Sequence, residues 1–276
     1  MSNAYLRLFR LNNGIMGIVG LLITAFIAAG YNMFDHWLNL LIGAAIVFAF
    51  VAGGNALNDY VDVDIDKTAH PDRPLPKGEL TPRDAKLCGI GGLVLAVILS
   101  AGYAVQGFWI ATAIVTLGAV MMIAYELTLK QRGFIGNICI ALLTGFVFLF
   151  GGGIVGDISQ VWVLALLAAL VSVGREITKD IEDEESDRES RTTLPMIIGD
   201  RKAGAVAAAF FILGPLLSLI PLINGMFGIL YLTVLIADLL FIYCAALVFS
   251  DPHKSEKTAK IAMFIALISF ILGVVI

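Results

Sequence analysis

Long apolar runs separated by short polar stretches dominate the chain. A hydrocarbon core of ~30 Å is crossed by about 20 mostly apolar helical residues. Runs of that kind occur nine times, at roughly residues 13–30, 38–57, 86–105, 108–128, 136–155, 161–178, 203–221, 226–249 and 259–276. Several are rich in glycine, as at Gly89, Gly91 and Gly92 or Gly151, Gly152 and Gly153. Small residues let membrane helices approach closely where lipid supplies no hydrophobic drive. The pattern predicts an all-α polytopic membrane protein, with nine transmembrane helices in one bundle and a single domain over residues 1–276.

Composition agrees with this reading and excludes a soluble domain. The chain is 59% hydrophobic and 14% charged, against about 45–50% and about 25% in soluble proteins. Cys88, Cys139 and Cys244 lie far apart in apolar runs, so neither a disulfide framework nor a zinc site is expected. Charge placement sets the orientation. Arg7 and Arg10 precede the first span, and every other Lys and Arg lies in a loop after an even-numbered span or at the adjoining helix ends. The opposite loops, near Asp35, Gln106, Asp157 and Asn224, contain no base. By the positive-inside rule the N-terminus and the basic loops are cytoplasmic, in a multi-pass protein of the cell membrane. Cleaving the first run as a signal peptide would leave eight spans starting from the wrong side, so it is read as a retained span.

Two cytoplasmic loops are long, at 58–85 and 179–202, and they hold most of the acids. Thr81, Pro82 and Asp84 read as the cap and first turn that launch the third span. Asn58, Asp62 and Asp66 recur at i, i+4, i+8, and Asp180, Asp183 and Asp187 at i, i+3, i+7. Each set lines one helix face if the preceding span continues into the loop. A helix C-terminus disfavours carboxylates, and two of them ~5 Å apart repel by roughly 3 kcal/mol at an effective dielectric of 20. Bound cations would relieve both costs. Oxygen-only ligands point to a hard ion, magnesium before calcium, held together with substrate phosphates. The bases Lys67, Arg73, Lys77, Lys130, Arg175 and Lys179 are interleaved with these acids, as in a diphosphate clamp. Each also serves the positive-inside rule. The four-span separation of the boxes suggests parallel repeats, spans one to four and five to eight, with span nine added.

NDYVDVDID followed by DRPLPKG, together with KDIEDEESD, resembles the UbiA superfamily of intramembrane prenyltransferases over essentially the whole chain. The resemblance implies magnesium and diphosphate binding at Asn58, Asp62, Asp66, Asp183 and Asp187, with Asp59 and Asp180 in acidic positions beside them. Asp62, Asp66, Asp183 and Asp187 are then the catalytic carboxylates. Arg73, Lys77, Tyr125 and Lys130 would meet the diphosphate, and Asn13 matches an asparagine near the start of span one. Ser186 stands where the second box often has glycine. GNALNDYVDVDIDK and GREITKDIED are most similar to the archaeal members that build ether lipids. That similarity implies Mg2+-dependent transfer from geranylgeranyl diphosphate to the free hydroxyl of geranylgeranylglyceryl phosphate. Magnesium and the bases draw charge onto the leaving diphosphate, the allylic C–O bond ionises, and the acceptor captures the cation.

A phosphorylated acceptor needs a second anion site, for which Arg175 and Lys179, one turn apart before the second box, are candidates. The alternative is that Arg175 pairs with Glu176 or another box acid. Asp238, an ionisable group inside span eight, is expected to face the bundle interior near the acceptor or to make an interhelical hydrogen bond. The expected partners are a prenyl diphosphate, a lipid-like acceptor and membrane lipids, with no nucleic acid and no obligate protein partner. An aromatic acceptor is the alternative within the family. An ion-coupled transporter is the non-enzyme alternative, although only Asp238 lies as deep as that class requires. A CDP-alcohol phosphatidyltransferase would carry a DGxxAR-type core, which is absent.

Overall fold

The computed structural model describes residues 2–187 and 191–275, except the side chains of residues 2, 3, 69, 186 and 187. Among the described residues it is helical throughout, with a lone bridge between Arg132 and Thr192. Eight stretches are long and apolar enough to cross a membrane, and the protein is a multi-pass membrane protein. Internal packing divides the chain into two units, Met1–Leu127 with Leu149–Ile158, and Thr128–Phe148 with Ser159–Ile276.

The first unit opens with α1 (Ser2–Phe9) and α2 (Leu11–Ala29), joined at Arg10, the lone described non-glycine residue with positive φ (48°). A 3-10 segment, Gly30–His36, leads into α3 (Trp37–Val61). Leu11–Val61 is a single 51-residue apolar stretch, longer than one crossing needs. Its two helices run antiparallel, since Gly14 faces Phe48, Gly17 faces Val47 and Gly43 faces Leu21. The helix α4 (Val63–Ala69) follows, then a loop, α5 (Pro82–Val105) and α6 (Trp109–Leu127). The expected cap is present: Thr81 Oγ1 accepts from Asp84 N (3.2 Å) and the Asp84 carboxylate accepts from Thr81 N (2.9 Å).

Glycines bring α3 and α5 together backbone to backbone. A Cβ on Gly53 would lie 2.9 Å from Gly89 O, and one on Gly92 would lie 2.7 Å from Ala49 O. Either would push the helices apart, and the first acidic box rides on the end of α3. The loop before α5 is docked rather than loose: Leu75 and Leu80 pack with Ala4 and Leu8 of α1, and Arg7 bonds Glu79.

In the second unit α7 (Phe134–Gly153) is followed by α8 (Val161–Glu182), α9 (Glu184–Asp187) and α10 (Leu194–Ile198). Then come α11 (Asp200–Ile223), α12 (Val234–Leu247) and α13 (Pro252–Val275). Stacked Phe211 and Phe241, 6.1 Å apart, anchor its core together with Ile177 and Ala207. The sequence predicts that the sixth span stops near 178, whereas α8 reaches Glu182. Lipid requires apolar side chains only within the hydrocarbon, and the backbone ladder carries the helix on into water.

Candidate active site

Both acidic boxes lie where a long helix ends, breaks at one residue and restarts. In the first, Asp62 adopts φ −89°, ψ 10°, yet its N–H still reaches Asn58 O (2.9 Å) and its carbonyl accepts from Asp66 N (2.8 Å). Helical spacing therefore persists across the box. Its side chains divide in two, because at about 100° per residue a row at i, i+4, i+8 drifts by about 80°. Asp66 thus aligns with Asp59, seven residues back. Asn58 Nδ2 donates to Asp62 Oδ2 (3.0 Å). Asp59 and Asp66, both buried, share Arg73: its Nη1 is 2.6 Å from Asp66 Oδ2 and 3.4 Å from Asp59 Oδ1. The side chains thus form two pairs, Asn58 with Asp62 and Asp59 with Asp66.

Two residues that the sequence did not single out complete this box. Arg10 Nη2 lies 2.6 Å from Asp59 Oδ1 and 3.4 Å from Asn58 Oδ1. Glu126, in the last turn of α6 and only 5% exposed, accepts from Asn58 Nδ2 at 3.2 and 3.3 Å. Arg10 is easily read as topological charge alone. Glu126 does carry a signal, since a carboxylate at the end of an apolar span is costly unless it has a task.

In the second box Asp183 is the break, with φ −93°, ψ 6° and its N–H bonded to Lys179 O (2.9 Å). Asp180 is buried at 4% exposure, accepts from Asn137 Nδ2 (2.8 Å) and has Arg191 Nη2 at 3.6 Å. Asn137 and Arg191 were also missed. Asp183 is half-buried; the Asp187 and Ser186 side chains lie outside the described residues.

The other expected site residues are more dispersed. Lys77 is exposed and pairs with Asp72 (2.8 Å), holding that carboxyl below the usual carboxylate range. Tyr125, at the end of α6, and Lys130, in the following 3-10 segment Leu129–Gln131, are half-buried. Asn13 and Lys179 are exposed. Arg175 does not present an open fork, as its Nη1 bonds Glu256 Oε1 (2.9 Å), its Nη2 bonds Glu176, and Lys260 joins Glu256 (2.8 Å). Asp238 accepts from Ser218 Oγ (2.7 Å), so it makes an interhelical hydrogen bond between α11 and α12. It also lines a cavity of about 60 Å³ in the second unit, walled by Phe148, Leu167, Val171, Phe241 and Phe270.

An all-helical membrane fold with two such carboxylate boxes is that of an intramembrane prenyltransferase. The chain belongs to the UbiA prenyltransferase family, whose profile matches residues 18–268. The digeranylgeranylglyceryl phosphate synthase of Methanosphaera stadtmanae is 37% identical over 281 residues, 98% of this chain and 99% of that one. A solved structure reported as giving insight into digeranylgeranylglyceryl phosphate synthase in membranes matches with TM-score 0.85 at 35% identity, covering 99% of this chain and 98% of that one. A UbiA homolog from Archaeoglobus fulgidus, solved with GPP and Mg2+, shares the fold at TM-score 0.67 and 17% identity, covering 99% and 100%.

Magnesium suits the donor chemistry here. The first box offers carboxylates and an amide oxygen, hard ligands without imidazole or thiol. Among the described residues no three acidic, His or Cys side chains are already gathered at one point. The guanidinium of Arg10 lies against Asp59 and that of Arg73 against Asp66.

Proposed function

We propose that this chain transfers the geranylgeranyl group of geranylgeranyl diphosphate to the free hydroxyl of geranylgeranylglyceryl phosphate, giving digeranylgeranylglyceryl phosphate for archaeal ether lipids. The observation that carries the reading is full-length similarity to a synthase of that name, with both oxygen-donor boxes present in the chain. Asn58, Asp62, Asp66, Asp183 and Asp187 are the magnesium-diphosphate ligands. Asp59 and Asp180, the buried pair, brace the two boxes and complete the acidic set. Bound magnesium supplies charge neutralisation to the diphosphate. Arg73, Lys77, Tyr125 and Lys130 hold the leaving group, with bases and a phenol that favour negative charge as the C–O bond breaks. Lys179, Asn13, Asp238 and Arg175 serve the acceptor, Arg175 while it stays paired with Glu176 and Glu256 and Asp238 while it accepts from Ser218.

The antiparallel pair within Leu11–Val61 supports nine crossings, and the matching breaks at Asp62 and Asp183 support the four-helix repeats. The distribution of Lys and Arg supports a cell-membrane protein with both boxes cytoplasmic. The test offers geranylgeranylglyceryl phosphate and 4-hydroxybenzoate in competition to purified protein with Mg2+ and geranylgeranyl diphosphate. Product masses should show the glyceryl ether. Dominance of prenylated benzoate would replace this acceptor with an aromatic one.

A further inference from the structure

Glu126 lies outside both acidic boxes, on the last turn of α6, where the partial negative charge of the helix end opposes it. It is buried as well. It accepts hydrogen bonds from Asn58. Both hydrogens of the Asn58 amide point at carboxylates: Asp62 Oδ2 lies 3.0 Å from Nδ2, and Glu126 Oε1 and Oε2 lie 3.3 and 3.2 Å from it. A carboxylate can only accept, so the amide nitrogen must face this side. Oδ1 then turns the other way, where Arg10 Nη2 lies 3.4 Å from it. Only that oxygen of Asn58 can bind a cation.

We infer that Glu126 is a positioning residue which locks the Asn58 side chain so that its carbonyl oxygen, not its nitrogen, faces the metal-diphosphate. The inference rests on the reading of Asn58 as a ligand. Outer partners of this kind commonly contribute about 10–100-fold in metal affinity. Acceptance of a hydrogen bond is the required property, and charge is not.

Mn2+ binding to detergent-purified protein with inorganic diphosphate, followed by loss of the free-ion EPR signal, is a readout independent of turnover. Glu126→Gln keeps an acceptor oxygen and should bind Mn2+ within about threefold of the parent, whereas Glu126→Met should bind about 10–100-fold more weakly. Glu126→Asp keeps the charge but withdraws it from reach, and should behave like Glu126→Met; it gives the same contrast if the methionine variant does not fold. In an Asn58→Ala background, Glu126→Met should weaken binding no further. Equal damage from Glu126→Gln and Glu126→Met, or full additivity with Asn58→Ala, would overturn the positioning role. Unchanged Mn2+ binding in Asn58→Ala alone would remove the ligand role of Asn58 and this inference with it.

Discussion

The two acidic boxes share a backbone break, and different described side chains meet their buried aspartates. Asp62 and Asp183 break their helices with nearly the same dihedral angles, and each retains its i→i−4 bond at 2.9 Å. Aligned on that break, Asp59 matches Asp180, Asp66 matches Asp187, and Asn58 matches Lys179. Asp59 and Asp180 are both buried, at 2% and 4% exposure. Asp59, however, is held by two guanidiniums, from Arg10 and Arg73. Asp180 is held by a neutral amide, Asn137, with Arg191 farther off. The local frame follows from helix spacing, while the charge balance is imported from distant segments. Among the described contacts, two guanidiniums meet the buried aspartate of the first box, and an amide with one more distant guanidinium meets that of the second.

The largest expected effect tests what the boxes share. Asp62→Asn and Asp183→Asn each remove one charge at the same backbone position, and each should lower turnover at saturating Mg2+ by about 10²–10³ while leaving folded yield unchanged. A loss confined to one variant would break the equivalence.

The next effect tests the difference. Arg73→Met strands buried Asp59 and Asp66 without one of their cations, and breaking a buried pair in this way costs about 3–5 kcal/mol. Asn137→Leu removes one hydrogen bond from Asp180, costing about 1–3 kcal/mol. Chemical unfolding in detergent should therefore rank Arg73→Met as more destabilising than Asn137→Leu. The reverse order would mean that the amide, not the guanidinium, is the stronger brace.

A smaller and more selective effect is expected beside the second box. Arg175→Gln should raise the acceptor KM about tenfold, the worth of one charge-assisted hydrogen bond, and leave the donor KM unchanged. If Arg175 serves only Glu176 and Glu256, both KM values stay put and thermal stability alone falls. The smallest effect belongs to the exposed cap that orders the chain after the first box. Thr81→Ala should cost ~1 kcal/mol in unfolding free energy with turnover intact, and a large loss of activity would tie the cap to the site.

Most of the helices were legible in the amino-acid order, because lipid demands a run of about 20 apolar residues for each crossing. The capped start of α5 was legible too, since Thr81, Pro82 and Asp84 interact only locally. The positions of both boxes were visible for the same reason, as helix spacing is a property of a few adjacent turns. Tertiary structure decided which side chains meet across those turns. Arg10 and Arg73 reach Asp59 from 49 and 14 residues away, and Glu126 reaches Asn58 from 68. Asn137 and Asp180 are separated by 43 residues. No periodicity encodes such pairings, which depend on helix ends being brought together by contacts as close as those of Gly53 and Gly92. The sequence by itself therefore determined a multi-pass helical chain with two oxygen-rich helix ends. Only the folded arrangement decided that Arg73 bridges two aspartates, that Arg175 is already paired, and that a buried glutamate orients Asn58. Those outcomes turn on distances between segments far apart in the chain, which local residue spacing does not constrain.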